Sequence, residues 1–182
     1  MNKKWIIIFI SVIVVCWAVD LSTKLVAIDN LATKSTISGK LSSNGKTVSA
    51  FFDIFRFRFT ENKGGVFGIA QGNSLIFHII TGLGILFLGY FFFSTKDKTF
   101  LFVLSMSFIL GGAFGNFTDR FFREGVADFI EMGIGNARYP YIYNMADVFI
   151  TTGAILLFFA FRELSKIEKA KKLEESSKTS KI

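Results

Sequence analysis

Thr99-Phe-Leu-Phe-Val-Leu-Ser-Met-Ser-Phe-Ile-Leu-Gly-Gly-Ala-Phe-Gly-Asn-Phe-Thr-Asp-Arg120 decides the fold class of this chain. The run Thr99–Thr118 carries no charge. It has the length, roughly 20 residues, that a helix needs to cross the hydrocarbon core of a bilayer. In lipid the backbone must satisfy its own hydrogen bonds, so such a run is helical. It then ends in Asn116, Asp119 and Arg120, polar groups that are costly beside a membrane and seldom there for packing.

Working outward, three more runs have the same character. Trp5–Ala27 is apolar until Asp20 and Lys24 interrupt it, Ser74–Phe93 is uncharged, and Asn144–Phe161 carries Asp147 in its first turn. The totals agree. Of 182 residues, 51% are hydrophobic and 24 are Phe, too apolar for an ordinary soluble surface. A single Pro suits long uninterrupted helices. The N-terminal run lacks a small-residue cleavage site and is longer than a signal-peptide core, so it reads as a retained span. The expected fold is an all-α membrane bundle of four transmembrane helices, with spans at about 5–27, 74–93, 99–118 and 144–161. Residues 1–163 form the membrane domain, and 164–182 read as a charged tail whose helix fades into a solvated end.

The net charge of +7 does not point to nucleic acid, because no binding motif accompanies it. Its cations cluster in the short flanks instead: Lys3 and Lys4, then Lys96 and Lys98, then Arg162, Lys166, Lys169, Lys171 and Lys172. With four spans these flanks share one face, and the positive-inside rule makes it the cytoplasm, with both termini inside. Two connections then reach the outer face. In the first, Asn30–Ser49 reads as a polar loop, and 51–60 alternates Phe55, Phe57 and Phe59 against Arg56 and Arg58, the pattern of a strand. A Gly-rich turn at Lys63–Gly68 completes a small extracytoplasmic β segment at about 50–70, its Phe face expected toward lipid.

On this topology Asp20, Lys24, Asn62, Asn116, Asp119, Arg120, Asp128, Asn144 and Asp147 converge on the outer interface. With one cysteine, Cys16, and one histidine, His78, neither a disulfide nor a Cys or His metal site can be assembled. Catalysis would rest on carboxylates and amides, and no cofactor or metal is expected. Asp128 and Asp147 on one side of a membrane are the minimum set for acid–base cleavage of a peptide bond.

Each residue also has a purely architectural reading. Asp20 and Lys24, four apart, make a helix-end ion pair, the role favoured for them. Asn144 caps the fourth helix, with Asp147 favoured by the helix dipole. Asn116 hydrogen-bonds between helices, and Gly111, Gly112 and Gly115 let helices approach. Arg120 snorkels to the interface and His78 packs there. Asp128 fits such a reading least, because Val126, Ala127, Phe129 and Ile130 surround it. A small transporter and a non-catalytic scaffold are the competing classes. A transporter favours a midplane site and inverted repeats, neither of which is evident. A lipid phosphatase would need catalytic His beyond His78.

Four motifs in order resemble those of the lipoprotein signal peptidases, or signal peptidase II. They are Asp20-Leu-Ser-Thr-Lys24, then Asn62-Lys-Gly-Gly-Val-Phe-Gly68, then Gly111–Arg120 with Val126-Ala-Asp-Phe129, then Asn144-Met-Ala-Asp147. The resemblance covers roughly Asp20–Gly153. It implies a bacterial inner-membrane aspartic endopeptidase that cleaves diacylglyceryl-modified prolipoproteins before the lipidated cysteine. It further implies a monomer in the phospholipid bilayer with its site at the outer face. Asp128 and Asp147 then match the catalytic dyad. Asn62, Gly112, Asn116, Arg120 and Asn144 match substrate-binding or supporting positions, and Asp20, Lys24 and Asp119 structural ones. The chain departs from the family pattern in a longer polar segment at 30–50, Tyr143 where Phe is common, a Pro140–Asn144 spacing one residue longer, and an extended tail.

Overall fold

The computed structural model describes residues 2–34, 41–64, 74–123 and 125–179, leaving aside the side chains of 74–77 and 179. Among these residues the chain is mostly helical: α1 is Lys3–Leu31, α2 Ser74–Ser94, α3 Phe100–Phe122 and α4 Met145–Thr179. Helices α1, α3 and α4 are long and apolar enough to cross a membrane, while the described apolar run of α2, His78–Ser94, is shorter. Helix α3 is the central one. In its most apolar window 56% of residues are buried, against 17% in α1 and in α4. It packs on α1, α2 and α4.

Two features let the helices close. At the end where α1 and α3 begin, Phe9, Phe92 and Phe102 stack with Val103, Met106 and Leu110 in an apolar core. At the other end, glycines replace side chains where backbones meet. A Cβ at Gly112 would strike the carbonyl of Ala146, and one at Gly115 would strike the Asp20 carboxylate. The expected close approach of α3 to its neighbours therefore holds, and at Gly115 it makes room for a charge.

That charge belongs to a cluster larger than a helix-end pair. Lys24 Nζ lies 2.7 Å from Asp20 and 3.1 Å from Asp119, and Lys24 and Asp20 are fully buried. Asp20 also accepts from the Ala146 N–H at 2.8 Å, and Asp119 from the Ala127 N–H at 3.0 Å. Arg123 stands 3.3 Å from the other oxygen of Asp119. The two acids and two cations balance in number, so each buried charge faces an opposite one. Between them they join α1, α3, the start of α4 and the chain after α3.

Among the described residues, six short strands form two antiparallel sheets. β1 (Ala32–Lys34) pairs with β2 (Leu41–Ser43), inside a segment expected to be loop; 35–40 lie outside the described residues. The larger sheet has the order β3 (Val48–Ala50), β4 (Phe55–Asn62), β5 (Val126–Ile134) and β6 (Ala137–Arg138). β5 was not anticipated: with apolar residues on both faces, it lacks the alternation that marks a half-buried strand. The expected Gly-rich turn extends into 65–68, outside the described residues.

The Phe-rich strand does not turn its aromatic face to lipid. Phe59 is 2% exposed and packs with Ala127, Phe129 and Ile130 against Ala27 and Leu31 of α1, and Phe55 and Phe57 border the same cluster. The helical extension expected of the tail is present, and α4 continues unbroken to Thr179. At 1.5 Å per residue it is about 50 Å long, well beyond a hydrocarbon core of about 30 Å. Lys171 on this extension bonds Asp97 in the α2–α3 turn at 2.6 Å, so those two cationic segments lie at one end of the molecule.

Replacing Lys24 with Met keeps much of the volume but strands two buried carboxylates. The folded protein in detergent is expected to lose about 3–5 kcal/mol, seen as a lowered Tm. Lys24→Arg, which keeps the charge, is expected to lose less.

Candidate active site

The site begins with a helix cap. The Asp147 N–H donates to Asn144 Oδ1 at 3.2 Å, and the Asn144 N–H donates back to Asp147 Oδ2 at 3.2 Å. This reciprocal box satisfies donors that the first turn of α4 would leave open. It also holds Asp147 at a helix N-terminus, where negative charge is favoured. The architectural reading of Asn144 is therefore correct and incomplete. Its Nδ2 is free to point elsewhere, and it donates to Asp128 Oδ1 at 2.7 Å and to Asn116 Oδ1 at 3.1 Å.

Asn116 carries the link onward. Its oxygen accepts from Lys24 Nζ at 3.0 Å, and its amide nitrogen donates to Asp147 Oδ1 at 3.0 Å. An ammonium can only donate, so Lys24 decides which end of the Asn116 amide faces Asp147. Asp128 and Asp147 thus stand at the two ends of one chain of amide groups, Asp128–Asn144–Asn116–Asp147. Arg120 bonds the Asn116 carbonyl at 3.3 Å, and its charge acts on both carboxylates.

Asp128 reaches this place through β5. Its neighbour strand β4 is out of simple register: Phe57 faces Ile130, whereas Thr60 faces Asp128. One extra residue on β4, a bulge, shifts the pleat by one. Without it Glu61 and Phe59 would share the face of Asp128. With it Thr60 and Asn62 do, and Asn62 Nδ2 donates to Asp128 Oδ2 at 2.9 Å. Beyond Asp128, the backbones of Ile130 and Tyr143 exchange hydrogen bonds at 2.8 and 3.0 Å. They tie β5 to the residue that precedes the α4 cap.

The two carboxyls have different surroundings. Asp128 is 3% exposed, while Asp147 is half-buried. Burial, and then the charge of Asp147, push the Asp128 carboxyl up to about 7, against the opposing pull of the Asn62 and Asn144 amides. Burial wins because two neutral donors do not replace the hydration of a carboxylate. A carboxyl that keeps its proton near neutrality, beside one that is only half-buried, is the asymmetric pair that acid–base hydrolysis uses.

The other anticipated residues fall around this chain. Gly112 gives α3 access to Ala146, next to Asp147. Asp20, Lys24 and Asp119 lie beneath, reaching the site through Asn116 and through the Ala146 and Ala127 amides. Sequence reading did not anticipate those two backbone donors, because every residue except proline has one and only the fold selects which are used. His78 Nε2 meets the Arg120 carbonyl at 2.7 Å and its ring lies edge-on to Phe117, an interface role as expected.

Comparison with known proteins agrees with this architecture. A family model described as signal peptidase (SPase) II matches residues 5–162. A lipoprotein signal peptidase of Bacillus pumilus is 34% identical over 149 residues, covering 82% of this chain and 87% of that one. One from Clostridium tetani is 34% identical over 148 residues, covering 81% and 88%. Among solved structures, a bacterial membrane enzyme superposes with a TM-score of 0.67 at 26% identity, covering 90% of each chain. With the match running from α1 into α4 and embracing every polar group of the site, the chain belongs to the signal peptidase II family, the proteases that remove signal peptides from prolipoproteins.

Proposed function

We propose that this chain is an intramembrane aspartic endopeptidase whose catalytic dyad is Asp128 and Asp147. The reading is carried by one observation: the two carboxylates are joined through Asn144 and Asn116, one buried and one half-buried. The substrate is a diacylglyceryl-modified prolipoprotein, cut before the lipidated cysteine. The enzyme is a monomeric four-span protein of the bacterial cytoplasmic membrane, with both termini inside and the site at the outer face. The Lys171–Asp97 contact supports that topology, since it holds two cationic flanks at the end opposite the dyad.

In this reading Asp128 carries the proton of the resting pair and Asp147 serves as the base. Asp147 takes a proton from a water held between them, and the oxygen attacks the scissile carbonyl carbon. Asp128 donates its hydrogen bond to the carbonyl oxygen as that oxygen gains charge. The tetrahedral adduct collapses with breakage of the C–N bond, and the proton gained by Asp147 goes to the leaving amine. Arg120 offsets negative charge near the pair. Asn62 and Asn144 hold Asp128 in place, Asn116 holds Asp147, and Gly112 lets α3 come close enough to matter. An interfacial position suits the substrate: its acyl chains remain in the bilayer while its peptide meets water.

Purified protein in detergent is expected to cleave a lipid-modified prolipoprotein just before the modified cysteine. Asp128→Asn and Asp147→Asn are each expected to lower the rate at least about 10²–10⁴-fold while the fold is kept. Cleavage retained in either folded variant would remove that residue from the dyad.

The pH dependence has a defined sign. Asp128 is protonated below about 7, so the rate is expected to fall as pH rises through that value and both carboxyls ionise. Asn62 donates to the ionised form of Asp128, and its removal favours the neutral form. Asn62→Ala is therefore expected to move the alkaline limb to higher pH; an unmoved or lowered limb would place the proton elsewhere.

A further inference from the structure

The turn between β3 and β4 holds aromatic residues where glycine or asparagine would be ordinary. Phe51, Phe52 and Asp53 have φ of 48°, 55° and 65°, the left-handed region, in three consecutive residues. Cβ sterics disfavour that conformation, most of all for bulky residues, so the surroundings must impose it. They do so through Asp53. Its carboxylate takes two hydrogen bonds from Arg56, at 2.7 and 2.6 Å, and one from Ser49 at 2.8 Å. Arg138, from β6, reaches the same carboxylate and also bonds the Asp53 carbonyl at 2.7 Å. The Gly133 N–H holds the Ile54 carbonyl at 2.9 Å. A clasp drawn from four strands thus fixes a strained turn, and the turn buries little: Phe51 meets Phe55 edge-on, with ring centroids 6.2 Å apart. Phe52 is fully exposed and Phe51 is 74% exposed.

The patch has a coherent chemistry. Ile54, Ile134 and Tyr139 are exposed close by, on the same strand ends. Asp53 is the turn's own acid, and two arginines cover it, which leaves the tip apolar with a cationic base. Aromatic and aliphatic side chains above arginines are what the boundary between acyl chains and anionic headgroups accepts. The sheet's position agrees: it is packed on Ala27 and Leu31 in the last turns of α1, directly after Val26, whose side chain is 64% exposed on the apolar helix surface. We propose that the Phe51–Phe52 turn is a membrane foot, inserted in the headgroup–acyl boundary of the leaflet beside the active site. It would hold the sheet that carries Asn62 and Asp128 at a set height over the bilayer. The inference rests on the membrane reading above, and the partner is the phospholipid surface itself.

The test uses the two native tryptophans, Trp5 and Trp17. Phe52→Trp in a Trp5→Phe, Trp17→Phe background gives one reporter at the tip, and Trp5→Phe alone leaves Trp17 inside α1 as a control. Both are reconstituted in vesicles of phosphatidylglycerol and phosphatidylethanolamine. The lipids are brominated either near the glycerol backbone or at the chain ends, and both variants are first shown to cleave substrate. Emission from residue 52 is expected to fall several-fold more with the shallow bromines than with the deep ones, and to resist aqueous iodide. Quenching by iodide with no response to either lipid would overturn the proposal. So would lipid protection that appears only on adding prolipoprotein, or only at high protein density, which would assign the turn to substrate or to a second copy. A Trp17 control that no lipid quenches would instead show that the membrane reading had failed.

Discussion

A single buried ammonium, that of Lys24, sets most of this structure. It cannot lie between α1 and α3 without carboxylates, and Asp20 and Asp119 supply them. Those acids are then committed, each accepting a backbone N–H from the chain entering α4 or β5. One charge thereby determines how closely the helices meet and where the two segments bearing Asp128 and Asp147 begin. The same ammonium orients the Asn116 amide, so the constraint that assembles the bundle also aims a donor at Asp147. Stability and site geometry are coupled here through shared atoms.

The second constraint lies in the sheet. A strand pairs its neighbour with a side-chain period of two, so one inserted residue exchanges its faces. The bulge between Phe57 and Thr60 uses this: aromatic residues serve the core below, and polar ones serve Asp128 above. The strand can therefore cover α1 with Phe59 and still present Asn62 to a carboxylate. Apolar packing around Asp128 has a chemical result as well, because the low polarity that raises its proton affinity comes from the residues that seal the sheet onto α1.

The site resembles neither a midplane ion pathway nor a simple scaffold. Its polar groups gather where α3 ends and α4 begins, and they are arranged asymmetrically, with Asp128 buried and Asp147 half-buried. A scaffold would explain the buried cluster of Lys24, Asp20 and Asp119. It would not explain why Asp147, capped and half-open, is wired by two amides to a buried carboxyl that burial keeps protonated near neutrality.

Much was legible in the sequence because hydrophobic length and charged flanks are local properties. The four apolar runs, the convergence of polar residues and the candidates Asp128 and Asp147 came from counting and spacing along the chain, and the four motifs in order led to the family. The sequence did not reveal what depends on partners distant in the chain. β5 was invisible because a strand buried on both faces does not alternate. The Asp20–Lys24 pair looked like a helix-end ion pair alone until α3 brought Asp119 and Gly115 against it. The Phe face of β4 looked lipid-exposed until α1 covered it. Which amide meets which carboxylate, and which carboxyl is buried, were decided only by tertiary structure, since burial and hydrogen-bond geometry exist only once the helices and the sheet have closed around them.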